Sequence, residues 1–161
     1  MKTLYLVRHA KSSWEFDIED HERPLKERGL NDAALVAHHI KSKIEPPQKV
    51  ISSDAIRAKT TALLYLREFS IPEEEFVLDS KLYDFTGREL DSVIRNCDNK
   101  IDRLMIFGHN DAMTNIVNKY GDKHIDNVST AAFTCIVFDA DSWQNIENGK
   151  TKFYITPKQL K

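Results

Sequence analysis

Short apolar runs alternating with apolar stripes at helical spacing are what most constrain the fold of this chain. Residues 4–7, 49–52, 76–78 and 104–107 are brief strand-forming runs closed by polar or turn residues, the pattern of strands covered on both faces. Between them Leu30, Ala33, Ala34, Ala37, Ile40 and Ile44 recur at helical spacing, and Pro46-Pro47 ends that segment. Ala55, Ala58, Ala62, Leu63 and Leu66 form a second stripe behind a Ser53-Asp54 cap. Leu90, Val93, Ile94 and Cys97 form a third, and Ala112, Met113, Ile116, Val117 and Tyr120 a fourth. The alternation predicts an α/β fold, a three-layer α/β/α sandwich on a mainly parallel central sheet. Residues 133–138 and 152–155 are late strands with no helix between them, only a polar turn region, so antiparallel or edge pairing is expected. With 161 residues, the chain is expected to form a single domain over residues 1–161.

Composition excludes several functions. The formal net charge is −2, which argues against a nucleic-acid binder with a broad basic face but leaves room for arginines focused on one pocket. Cys97 and Cys135 belong to no CxxC or Cys/His cluster, so they read as small core residues rather than zinc ligands. The apolar run at residues 4–7 is too short for a signal-peptide core, and no stretch approaches the length of a membrane span. A cytoplasmic protein, with neither nucleic acid nor membrane as partner, is the expectation.

Ligands in such sheets bind beyond the carboxyl ends of the strands, and three of those ends carry unusual residues. The first strand runs into Arg8-His9, the second into a helix with Arg57 in its first turn, and the fourth into Gly108-His109-Asn110. Arg23-Pro24-Leu25 closes a polar loop from residue 9 to 24, long enough to suggest function. Three arginines and two histidines thus converge. The guanidinium fork suits phosphate oxygens, and an imidazole can attack phosphorus as a nucleophile while a second stabilises the transferring group. There is no P-loop or dinucleotide glycine fingerprint. The carboxylate set of a magnesium-dependent phosphatase is missing too, so no metal or organic cofactor is implied.

Leu6-Val7-Arg8-His9-Ala10 resembles the RHG signature of the histidine phosphatase superfamily, with Ala10 in place of glycine. Arg23-Pro24-Leu25, the stretch from Ser53 to Thr60, Leu82-Tyr83-Asp84 and Gly108-His109-Asn110 follow in the family's order. The short length and the Arg-Pro-Leu element look most similar to the SixA-like phosphohistidine phosphatases. The resemblance implies a phosphoglycerate mutase-like fold. It further implies a phosphohistidine intermediate on His9, a phosphoryl group bound by Arg8, Arg57 and His109, and help from Arg23. It aligns the leaving-group acid of larger relatives with Asp84, against Asp111 and Glu15 as rivals.

Several positions keep two readings. Asp84 serves either catalysis or a turn or cap. Arg23 either lines the pocket or pairs with the acidic segment from Glu15 to Glu22. Lys11 and Ser12 are pocket candidates, with Ser12 counted among the phosphate-binding set. Trp14 and Phe16 read as packing anchors of the loop rather than as a lid. The small size leaves the pocket open, which suits a phosphorylated protein side chain, phosphohistidine above all. A broad small-molecule phosphomonoesterase and a non-catalytic phosphoprotein-binding module are the alternatives.

Overall fold

The computed structural model describes residues 1–161. Strands β1 (Lys2–Arg8), β2 (Lys49–Ser52), β3 (Phe76–Leu78), β4 (Arg103–Gly108), β5 (Phe133–Phe138) and β6 (Lys150–Ile155) form one sheet in the order β3-β2-β4-β1-β5-β6. The first four are mutually parallel, while β5 runs antiparallel to β1 and β6 antiparallel to β5. The β5–β6 connection at the antiparallel end has no α-helix, only a 3-10 turn at Trp143–Asn145, in line with the sequence pattern.

Strand β1 shows why the sheet must be covered twice. Its alternate side chains enter different cores. Tyr5 and Val7 pack with Val36, Ala37 and Ile40 of α1 (Glu27–Lys41) and with Ala62, Tyr65 and Leu66 of α2 (Ile56–Phe69). Leu4 and Leu6 pack with Leu90 and Ile94 of α3 (Arg88–Arg95) and with Met113, Ile116 and Val117 of α4 (Ala112–Tyr120). Both faces are therefore apolar and buried, which gives the three layers. The polar turn region after β5 is more than a turn. Trp143 and Ile146 are fully buried there, and the Trp143 indole N–H donates to the Ile101 carbonyl at 2.7 Å.

Two local features position the site. The chain after β1 is stitched to the start of α1 by backbone bonds from Ser13 to Pro24 and from Lys26 to Lys11, both 2.9 Å. Gly29 is required by that contact, since a Cβ on it would lie 2.2 Å from the Lys11 carbonyl oxygen. The expected Ser53-Asp54 cap of α2 is not formed. Ala55 occupies the N-cap without a side-chain bond. Ser53 Oγ instead meets His109 Nε2 at 2.9 Å and accepts the Ala55 N–H at 3.2 Å, while Asp54 pairs with His21.

Candidate active site

His9 sits one residue beyond β1, held on both sides by backbone bonds. Its N–H donates to the Gly108 carbonyl at 3.0 Å, and its own carbonyl accepts the Ala131 N–H at 3.1 Å. Its ring Nδ1 lies 2.7 Å from the Ala10 carbonyl oxygen. A carbonyl only accepts, so the ring proton is on Nδ1 and Nε2 keeps its lone pair. Burial, reinforced by the charges of Arg57, Arg8 and Arg23, lowers the His9 pKa to about 3. The ring is consequently neutral at neutral pH. Ala10 beside it is buried in a small apolar cluster with Ala33 and Ala131, against which Leu25 and Leu64 pack.

The other strand ends deliver their residues to the same cleft, which encloses about 260 Å³ and is bordered by Arg8, His9, Ser12, Arg23, Arg57 and His109 among others. The rings of His9 and His109 have centroids 5.2 Å apart. His109 is 1% exposed. Burial, then the nearby His9 and Arg57, lower its pKa to about 2. His109 Nε2 faces the Ser53 hydroxyl, which has both a proton to give and a second lone pair to accept with; the Nδ1–H tautomer is the one that presents a donor to the cleft. Arg8 spends Nη1 on the Val128 carbonyl at 2.7 Å. Arg57 spends Nη1 and Nη2 on Asp20. What remains is decisive for the chemistry: Arg8 Nε, Arg57 Nε and His109 Nδ1 are buried and have no hydrogen-bond partner. Buried polar atoms are nearly always satisfied, so three orphans on residues that border one cleft with His9 mark a place for an anion.

Arg23 realises both of its readings. It borders the cleft with Nη1 on Ser12 Oγ at 2.7 Å, and its Nε pairs with Asp20 at 3.0 Å. Lys11 and Ser12 also border the cleft. Trp14 and Phe16 are not packing anchors, being 75% and 54% exposed. The Trp14 ring lies flat against Arg23, with the guanidinium carbon 3.5 Å from its centroid, and this cation–π contact is what holds it.

Asp84 requires a correction. It does not border the cleft. Its carboxylate accepts the backbone N–H groups of Thr86, Gly87, Glu89 and Leu90 and the Thr86 hydroxyl, at 3.0–3.1 Å. Partial burial pulls its pKa up, but these donors win and hold it below the ordinary carboxylate value. Asp84 thus caps the first turn of α3 from three residues ahead of its Gly87 N-cap, and no lone pair or proton is left for a substrate. Asp111 and Glu15 do not border the cleft either. The carboxylate that does is Asp20, which in the sequence is one acid among several in the segment from Glu15 to Glu22. It lies in a turn of 3-10 helix at Asp20–Glu22, and the loop's path brings it to Arg57 across 37 positions of sequence. No three His, Cys, Asp or Glu side chains are grouped closely enough to hold a metal ion.

The sequence model of the histidine phosphatase superfamily, branch 1, matches residues 4–86. The chain belongs to the histidine phosphatase superfamily. As a member of it, the chain matches a chloroplastic protein of Arabidopsis thaliana, 46% identical over 61 residues, which is 37% of this chain and 28% of that protein. A Mycobacterium tuberculosis protein is 38% identical over 55 residues, 34% of this chain and 35% of the relative. The matched stretch thus spans about a third of those curated relatives. Among solved structures, the protein histidine phosphatase SixA complexed with tungstate superposes with a TM-score of 0.79 at 17% identity over 99% of both chains. A mycobacterial glucosyl-3-phosphoglycerate phosphatase complexed with VO3 gives 0.66 at 13% identity over 97% of this chain and 100% of that one. At such identities the likeness is one of fold, and it confirms the three-layer architecture of this superfamily member. No helix is long and apolar enough to cross a membrane.

Proposed function

We propose that this protein is a phosphatase that transfers a phosphoryl group to His9 and then to water, acting on phosphohistidine in proteins. The observation that carries the reading is the His9 Nε2 lone pair set among three buried donors without partners. The Nε2 lone pair attacks phosphorus, and the bond to the leaving group breaks. Arg8, Arg57 and His109 meet the equatorial oxygens through their free N–H groups, and Arg23 with Ser12 supports the edge of the pocket. Nδ1 keeps its proton on the Ala10 carbonyl throughout, so the phosphorylated ring carries a charge that this carbonyl stabilises. Water then attacks phosphorus, the electron pair returns to Nε2, and inorganic phosphate leaves.

Two observations favour phosphohistidine over an ester. An alkoxide leaving group needs a proton, yet the one carboxylate on the cleft, Asp20, is held ionised. Its partial burial is outweighed by hydrogen bonds from Tyr83, Arg57 and Arg23, which lower its pKa. Imidazole departs as a neutral base and needs no such donor. In addition, Trp14 and Phe85 border the cleft and are exposed, a rim suited to a protein surface. The fold shared with SixA agrees with this reading.

The test is phosphate release from a phosphohistidine peptide and from a phosphoserine peptide, with His9→Ala as control. Turnover of the first, abolished by the substitution, is expected. Turnover that survives His9→Ala would refute the covalent route.

A further inference from the structure

Asp20 has no task in the mechanism above, although it contacts two of its arginines. Oδ2 accepts from Arg57 Nη2 at 2.9 Å and from the Tyr83 hydroxyl at 2.5 Å, and Oδ1 accepts from Arg23 Nε at 3.0 Å. A carboxylate offers about four acceptor positions, so one on Oδ1 remains open. Its side chain is 42% exposed, against 3% for Arg57 and 7% for Arg23. Asp20 therefore stands between the buried guanidinium groups and solvent, at the border of the cleft.

A carboxylate fixed in this way by two cations cannot protonate an alkoxide, but it can accept an N–H. Phosphohistidine has one to offer. Its P–N bond breaks to a neutral imidazole only while the distal ring nitrogen carries a proton; without that proton the ring would have to leave as an anion. We infer that Asp20 selects N-phosphorylated imidazoles, its open Oδ1 position accepting the distal N–H of the leaving ring and keeping that ring protonated during transfer. The inference rests on the phosphatase reading above.

The step balances without an added donor. The P–N electron pair goes to the leaving ring nitrogen, the ring departs neutral with its distal proton, and the His9 Nε2 lone pair forms the new P–N bond. Phosphorus then passes between two imidazoles in equivalent settings. His9 has its distal N–H on the Ala10 carbonyl, and the leaving ring has its own on the Asp20 carboxylate.

The test compares two small substrates, so that protein docking plays no part: phosphoimidazole, which has the distal N–H, and para-nitrophenyl phosphate, which lacks it and needs no proton to leave. For Asp20→Asn, kcat/KM is expected to fall about 10- to 100-fold on phosphoimidazole, the value of a charge-assisted hydrogen bond. On the nitrophenyl ester it should stay within about threefold. Inhibition by inorganic phosphate should be undiminished, which shows the variant folded and its arginines in place. Asp20→Glu, which keeps the charge, should recover part of the phosphoimidazole rate. Equal losses on both substrates would reduce Asp20 to a brace for Arg57 and Arg23, and no loss on either would also overturn the inference. If the unsubstituted protein hydrolyses the ester but not phosphoimidazole, selection for imidazoles fails while the phosphatase reading stands. If it hydrolyses neither, both fail.

Discussion

His9 and His109 differ from ordinary surface histidines in one respect that chemistry depends on: both are neutral because they are buried beside arginines. A nucleophile whose ring were half protonated at neutral pH would lose half its lone pairs. In an NMR titration, the His9 and His109 ring resonances should therefore not shift between about pH 5 and pH 8. A midpoint near 6.5 for His9 would contradict the buried, neutral ring. At this scale the sequence was informative wherever a residue sits directly at a strand end. Arg8 ends β1, His9 and His109 each follow their strand by one residue, and Arg57 lies in the first turn of α2, five residues after β2. Asp20 could not be placed that way. Its position depends on the route of the loop from His9 to Pro24, fixed by ion pairs to Arg23 and Arg57 that no local pattern announces.

The inner strands were legible because burial on both faces leaves so few ways to arrange them, and the edge strand β3, whose Val77 and Leu78 are exposed, because its short apolar run is closed by polar residues. β2, β3 and β5 match the expected runs residue for residue. Helix α1 begins at Glu27 rather than at Leu30, because its first turn is polar and holds Gly29 for contact with Lys11, so it lacks the apolar spacing that signals a helix. The turn before α3 is the instructive error. Gly87 adopts φ = 106°, a conformation that favours glycine, and the bend lets the Asp84 carboxylate reach back over four N–H groups of the turn and helix start. An acid in a family motif was thus open to a catalytic reading when its bonds are those of a cap. Asp84→Ala is expected to destabilise the protein by about 1–2 kcal/mol, the usual cost of a lost cap. The folded fraction should lose phosphohistidine and ester turnover to the same modest degree. Denaturant midpoints and paired rates check this, and a selective loss on the ester would restore Asp84 as an acid.

For the whole molecule, the two neutral histidines tie stability to pH. Unfolded, each has a pKa of 6.5; folded, they stand at about 3 and about 2. Between these limits the unfolded chain binds two protons that the folded chain refuses, so lower pH favours unfolding. The stability they contribute is complete above about pH 6.5 and is lost as pH falls toward 3, with a slope approaching about 2.7 kcal/mol per pH unit for two protons. Asp20, Asp84 and Asp91 also have lowered values. They act in the same direction, but only as pH nears their ordinary value of 3.8. The interval from pH 6.5 to about 4.5 therefore isolates the histidines. Urea midpoints should fall steadily across it, and His9→Gln combined with His109→Gln should flatten the slope whatever it does to the midpoint at pH 7. A slope unchanged by the double substitution would assign the acid sensitivity elsewhere. The physical trade is one that active sites commonly make: the burial that keeps the His9 lone pair available also makes the fold sensitive to acid.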